Sequence, residues 1–186
     1  ARRFLIGDPD IIFYDVLVGE TIYRMAAAEH HAYPGDVVMD GPTVEQLAEH
    51  VEVAEWRQEE GGKRRDFGVL SNLLRPAAPT PWPLLPAGRL SAAQVRPWLH
   101  SAVADRMQAG QGEFLTEMRP TVAFFLRFDG IDYDRDPQAG ARLDEFIRAV
   151  QRILAHTDGN LLEISVGDKG SYLYINYGAC TSHEDD

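Results

Sequence analysis

The apolar residues in the first third of the chain recur with two different periods. Residues 4–18 carry two β-rich runs around a turn-like Gly-Asp-Pro-Asp sequence, which predicts a pair of strands. Good helix formers with an apolar stripe predict a helix over 20–32. A short strand at 36–39, a helix capped by Thr43 and a last strand at 51–56 complete this segment.

The middle of the chain lacks such a pattern and is predicted to be a linker over residues 59–118. Residues 59–66 are almost all charged residues or glycine, and five of the eleven prolines fall between residues 76 and 86. Clustered prolines favour extended chain over helix. A pair of short helices, broken near Pro97, is expected at 91–107.

A second folded segment, residues 119–186, contains the clearest element. A strand is predicted at 121–128, and Asp136 followed by Pro137 predicts the start of a helix over 137–156. Apolar residues at spacings of three and four give this helix one buried face: Leu143, Phe146, Ile147, Val150, Ile153 and Leu154.

Two further strands, at 161–166 and 171–177, follow the long helix and are joined by a hairpin turn at 167–170. A strand, a long helix and then a hairpin indicate the α+β class, with helices on one face of a sheet.

Composition and charge narrow the functional classes. The 18 Lys and Arg residues against 29 Asp and Glu residues give a net charge of −11, which argues against binding to nucleic acid. No apolar run approaches the ~20 residues of a membrane span. A single cysteine, Cys180, fits a reducing compartment, so a cytoplasmic protein is expected. The first residues resemble mid-strand sequence and the last resemble a helix start, which predicts a fragment of a longer protein.

Motifs that carry chemistry are scarce. The aspartates before the long helix do not fit a calcium-binding EF-hand loop, because the sixth and twelfth positions counted from Asp132 hold Pro137 and Leu143. His30 and His31 are adjacent on a predicted helix, so the two side chains point in different directions and cannot both face one ion. The sequence contains no phosphate-binding loop, nucleophile elbow or dinucleotide fingerprint.

Two passages nevertheless resemble one protein family. Residues 7–39, beginning GDPDIIFYDVLVGETIYRM, resemble the C-terminal half of the first catalytic domain in tandem class III nucleotidyl cyclases of the soluble adenylyl cyclase type. Residues 119–186, beginning RPTVAFFLRFDGIDYD, resemble the N-terminal half of the second catalytic domain. Together the passages cover about 100 of the 186 residues, in the order found in the family.

The resemblance implies parts of two ferredoxin-like domains, over 1–58 and 119–186. Each part would lack half of its sheet, so unpaired edge strands and exposed apolar surface are expected. Such enzymes form cyclic AMP or cyclic GMP and pyrophosphate from ATP or GTP at the interface of the two domains. Magnesium ions held by two aspartates activate the ribose hydroxyl, and an Asn and an Arg of the other domain stabilise the transition state. In the tandem type, one of the two pseudosymmetric pockets is degenerate.

Carried over residue by residue, the resemblance places this chain on the degenerate side. Tyr23 and Ala27 stand where the family has its Asn and Arg, with Arg24 beside them. Arg127 stands near the end of the strand that carries the first metal aspartate of the family, and Glu163 stands where the base-recognising Lys lies. Neither a catalytic residue nor a metal ligand is therefore predicted in this chain, and magnesium belongs to the intact parent.

The other side of the predicted pocket includes Val166 and Asp168. Asp168 follows a glycine in a hairpin, as the second metal aspartate of the family does, but a longer turn would align Ser171 with that aspartate instead; an ordinary hairpin turn is the alternative. Arg127 would repel a cation and favour a small anion as regulator. Alternatively, Arg127 pairs with Asp129 or Asp168.

The expected function is therefore part of an intracellular cyclase that is inactive as this piece alone. A non-catalytic, cyclase-like scaffold that regulates an attached ATPase or transcription module is the main alternative. An unrelated domain that binds a small ligand is a third possibility.

Overall fold

The described part of the chain folds into helices and three antiparallel sheets, which confirms the predicted α+β class. The computed structural model describes residues 1–58, 66–76, 78–111, 118, 120–167 and 170–179. The elements in chain order are β1 (Arg2–Ile6), β2 (Tyr14–Val18), α1 (Glu20–Glu29), β3 (Val38–Asp40), α2 (Gly41–Gln46), β4 (Val51–Gln58), β5 (Asp66–Leu73), α3 (Ala92–Val95), α4 (Ser101–Gln108), β6 (Val122–Phe128), α5 (Ala139–Ala155), β7 (Gly159–Gly167) and β8 (Gly170–Tyr177).

The chain divides into two compact units. Unit 1 comprises Ala1–Gly19 and Leu85–Asp186, and unit 2 comprises Glu20–Leu84. These limits differ from the boundaries predicted near residues 58 and 119. The reason is that β1 and β2 share a core with the second folded segment, whereas β5, assigned to the linker from the sequence, belongs to the sheet of unit 2.

The core of unit 1 is built from side chains of the hairpin β1–β2, of α5 and of a three-stranded sheet. The hairpin β1–β2 and the sheet of strand order β6-β8-β7 both contribute apolar residues that pack against α5. The predicted buried face is confirmed for Leu143, Ile147 and Leu154, and Phe146 and Val150 pack against the same cluster. It is wrong for Ile153, which is 65% exposed because it lies about 100° around the helix from Leu154. The cluster of buried residues is Ile6, Val16, Val18, Tyr133, Ala139, Leu143, Ile147, Leu154, Leu161, Leu173 and Ile175.

Two polar side chains of α5 hold the loop that follows β1. Gln151 is 2% exposed; its carbonyl oxygen accepts a hydrogen bond from the Asp8 N–H at 2.8 Å, and its amide donates to the Ile12 carbonyl at 2.7 Å. Asp144 accepts from the Gly7 N–H at 2.7 Å. Gly7 has a φ of +106°, and a Cβ at this position would lie 2.5 Å from the Ile12 carbonyl oxygen, so the turn requires glycine.

The predicted break near Pro97 is confirmed. The helix α3 begins with a capping box between Ser91 and Gln94, and a 3₁₀ turn at Arg96–Trp98 separates it from α4. The Phe13 N–H donates to the Pro97 carbonyl at 2.6 Å. The helical pair is thus fastened to the loop between β1 and β2 within unit 1.

Unit 2 is built on a sheet of order β3-β5-β4, in which β5 is the central strand. Its sequence contains Gly68, whose missing side chain leaves room for Val44 and Val53: a Cβ at Gly68 would lie 3.0 Å from Cγ2 of Val44. The buried apolar residues of unit 2 are Ala28, Val44, Val51, Phe67 and Val69.

Two predicted helix starts are wrong by a few residues. The helix α2 begins at Gly41 after Asp40, and Thr43 donates its hydroxyl to the Asp40 carboxylate instead of capping. The helix α5 begins at Ala139, because Asp136 accepts the Gln138 N–H at 2.8 Å in a turn before it. Within the described residues, none of the helices is both long enough and apolar enough to cross a membrane.

Candidate functional site

The sheet of unit 1 has two chemically different faces. Leu126, Ile164 and Leu173, from the three strands, pack toward the core beneath α5. Since successive side chains of a strand point to opposite faces, the residues between them point away from α5. The sequence candidates Arg127 and Glu163 both belong to this second set.

Six residues form what we call the open face, in two cross-strand rows. In the first row, Phe125 pairs with Tyr174, and Tyr174 pairs with Glu163. In the second row, Arg127 pairs with Tyr172, and Tyr172 pairs with Ser165. The register therefore places Arg127 and Glu163 at diagonal corners of the face, with two tyrosines between them.

Aromatic side chains dominate the middle of the open face. The rings of Phe125 and Tyr174 are stacked, with centroids 5.0 Å apart and planes inclined by 13°. Phe125 is 66% exposed on the open face, and Val122 and Phe124, which alternate to the opposite face of β6, are also exposed. Because β6 lies at the edge of the sheet, these residues form the exposed apolar surface that the sequence predicts.

Arg127 is exposed and lies beside Gly170, the first residue of β8. A Cβ at Gly170 would lie 3.5 Å from the Arg127 Nε, so the guanidinium passes alongside the bare backbone of this glycine. Among the described residues, none forms an ion pair with Arg127, and the predicted alternative of a pair with Asp129 is not seen. The other predicted partner, Asp168, lies outside the described residues.

Val166 does not share this face. It pairs with Ser171, one position along from the pair of Ser165 and Tyr172, and its side chain packs against the core. The alternation of side chains along β7 separates it from Arg127, which corrects the prediction that both line one pocket. Ser171 is buried, and its hydroxyl lies 3.4 Å from the Tyr133 hydroxyl.

The remaining candidates, Tyr23, Arg24 and Ala27, lie on α1 in unit 2, and all three are partly buried. The Arg24 Nε lies 2.7 Å from Oδ2 of Asp40 without the alignment of a hydrogen bond, so the contact is an ion pair. Arg24 and Asp40 line a cleft of about 350 Å³ together with Gly41, Pro42, Glu45, Asp66 and Phe67.

The described residues around Arg127 do not fit magnesium. The metal site that the resemblance implies needs two aspartates, and the strand end expected to carry one of them holds Arg127. Within the described ranges, no group of three or more His, Cys, Asp or Glu residues is placed to hold a metal ion. The strand end at Arg127 therefore lacks the set of oxygen ligands that a magnesium ion needs.

The aromatic rows of the open face were missed from the sequence. Tyr172 and Tyr174 alternate along β8, and this spacing is the signal that could have placed them on one face with Phe125. Their pairing with β6 depends on the register, which the sequence leaves open.

A scan against models of protein families finds no match, and a search of curated proteins finds no significant match either.

Proposed function

We propose that this chain supplies parts of both catalytic domains of a tandem class III nucleotidyl cyclase, which makes cyclic AMP or cyclic GMP and pyrophosphate from ATP or GTP. The order of β6, α5, β7 and β8, with β8 in the middle of the sheet, supports a ferredoxin-like half-domain. The two resembling passages and a cytoplasmic location belong to the same proposal.

One observation carries the proposal: Arg127 and Glu163 stand on the exposed face of a sheet whose other face is covered by α5. An exposed sheet face with aromatic side chains is suited to contact a partner domain. Arg127 would give the resulting pocket a bidentate donor for a small anion such as bicarbonate. In this proposal the pocket is regulatory, because neither Arg127 nor Glu163 can replace a metal aspartate or a base-recognising Lys.

The first experiment measures cyclic nucleotide formed by the purified 186-residue chain from ATP or GTP with magnesium. We expect none, because Tyr23 and Ala27 cannot supply the amide and guanidinium that stabilise the transition state. An active class III cyclase in the same assay is the positive control. Product formation by the chain alone would overturn the assignment to the degenerate side.

The second experiment uses the intact parent protein. Arg127→Ala should abolish stimulation by bicarbonate, whereas Arg152→Ala, which removes an exposed arginine from α5, should leave stimulation unchanged. Equal stimulation of the Arg127→Ala variant and the unsubstituted parent would contradict an anion site at Arg127.

A non-catalytic, cyclase-like scaffold is the second candidate, and the arginine in place of a metal aspartate favours it. The two proposals differ in one measurement on the intact parent. A parent that forms no cyclic nucleotide with magnesium or manganese, although it is folded and binds ATP, would support the scaffold.

A further inference from the structure

A cavity of about 260 Å³ lies within unit 1, away from the residues of the open face. Three stretches of the chain line it: the loop between β1 and β2, the start of α4, and the corner where α5 ends and β7 begins. Ligand pockets for drug-sized molecules measure about 300–1,000 Å³, so this cavity suits a smaller molecule. Its polar lining includes Asp10, Tyr14, His100, Ser101, Asp158 and Asn160.

The walls of this cavity are held by contacts inside the protein. The Tyr14 hydroxyl donates to the Leu161 carbonyl, and burial raises the pKa of Tyr14, so the hydroxyl stays protonated as a donor. The Phe13 ring meets the Trp98 ring edge to face at a centroid distance of 5.8 Å. Gln151 fixes the loop from the side of α5. A cavity with fixed walls costs a ligand little ordering free energy.

The charge in the cavity is negative. Asp10 and Asp158 are the acidic residues of the lining, both are exposed, and the described residues that line it include neither Lys nor Arg. No described residue forms a hydrogen bond or ion pair with the Asp10 carboxylate. His100 adds no positive charge near neutral pH, because burial lowers its pKa from the ordinary 6.5.

The two helix ends at the cavity oppose each other electrostatically. The helix α4 begins here with its positive end, and α5 ends here with its negative end. These partial charges are opposite in sign, so the Asp10 carboxylate, which has no partner among the described residues, decides the sign of the field. An anion is therefore disfavoured and a cation is attracted.

The rest of the lining is apolar and comes from Ile11, Ile12, Leu154 and Leu161. A ligand that matches both parts carries one positive group and a short hydrocarbon chain. We propose that this cavity binds a small organic cation, a primary ammonium on a short alkyl chain, with the ammonium at Asp10. This site is independent of the proposed cyclase function, since it uses no residue of the open face.

The experiment titrates butylammonium chloride into the isotopically labelled 186-residue chain and follows amide and side-chain NMR signals. We expect saturable shifts at His100, Ser101 and Asn160, weaker shifts with the neutral probe 1-butanol, and none with butyrate. The variant Asp10→Asn should raise the dissociation constant about 3- to 10-fold, the loss of one charge-assisted hydrogen bond at a partly exposed position.

The control is Asp105→Asn on α4, which removes the same charge from an exposed residue outside the lining. This variant should bind butylammonium as the unsubstituted chain does. Equal weakening in both variants would show a general surface-charge effect and overturn the site, as would butyrate binding as tightly as butylammonium. The Asp10 side chain is exposed and forms no hydrogen bond or ion pair with a described residue, so circular dichroism of Asp10→Asn should match the parent chain.

Discussion

The two units of the molecule stabilise their folds in different ways. Among its described residues, unit 1 buries eleven in one cluster drawn from β1, β2, α5, β7, β8 and the loop before α5. Unit 2 buries only five apolar residues among those described. Because buried apolar area is the main favourable term in folding, unit 1 has the larger reserve against the loss of a single side chain.

Unit 2 compensates with a polar network around Arg57. Its guanidinium lies 2.7 Å from Asp36 and 2.6 Å from Glu55, and it also donates to the His31 carbonyl. The same group lies over the Tyr33 ring, 4.4 Å from the centroid. Such a network ties the turn after α1 to β4 by directed contacts, which respond to acid and salt more than apolar packing does.

The largest expected effect is the loss of Phe67 in unit 2. Phe67 is 1% exposed and stacks on the His31 ring at a centroid distance of 4.2 Å. Phe67→Ala should cost about 3–5 kcal/mol, which is enough to unfold a unit with so small a core. The measurement is a urea titration followed by resolved NMR amide signals of each unit.

In the same titration, Trp56→Ala serves as the control because Trp56 is 50% exposed on β4 of the same sheet. It should leave unit 2 folded in the absence of urea. Unit 2 signals that persist in Phe67→Ala at the midpoint of the parent chain would show that its stability lies elsewhere.

A smaller effect is expected from the equivalent change in unit 1. Leu143 is fully buried at the centre of the core, and Leu143→Ala should cost about 2–5 kcal/mol. We expect unit 1 to remain folded in buffer and to unfold at lower urea. On the same helix, Ile153→Ala changes a residue that is 65% exposed and should shift the midpoint little. Equal shifts for the two variants would contradict the assigned buried face.

The smallest expected effect is a difference in how the stability of each unit depends on pH. Burial lowers the pKa of His100 from 6.5, so the neutral ring stabilises unit 1 at neutral pH and this contribution is lost as the pH falls below about 6.5. In unit 2, the Tyr33 N–H and then the Arg57 guanidinium lower the pKa of Asp36 from 3.8, so its contribution persists until the pH falls below that value.

Between about pH 7 and pH 5 the urea midpoint of unit 1 should therefore fall more than that of unit 2. His100→Asn should remove this difference, and Asp36→Asn should leave it in place. A midpoint of unit 1 that does not change with pH in this range would contradict the burial of His100.

The sequence predicts best those helices and strands whose pattern is local, within the element itself. The apolar spacing from Leu143 to Leu154 identified α5, and the prolines identified the break between α3 and α4. The strand β5 was missed because Gly68 and Asn72 weaken its β pattern, and their fit depends on neighbours distant in sequence. The packing of β1 and β2 against α5 likewise could not be predicted, because it joins residues far apart in the chain.

The candidate site also contains residues that the sequence could identify and placements that it could not. Arg127 and Glu163 could be named from the resemblance, and their sharing of one face follows from the register of β6, β8 and β7. Val166 was misplaced because a shift of one position moves a side chain to the opposite face of a sheet. The cavity beside Asp10 could not be predicted, because three distant stretches of chain line it.

The discontinuity of unit 1 has a consequence during synthesis on the ribosome. The Gly7 N–H and its partner Asp144 are 137 positions apart, so β1 and β2 leave the ribosome long before the helix that holds them. At about 5–20 residues per second, the wait is roughly 7–27 s. Unit 2 is continuous and emerges within that interval, so it can fold first while the hairpin remains exposed to chaperones.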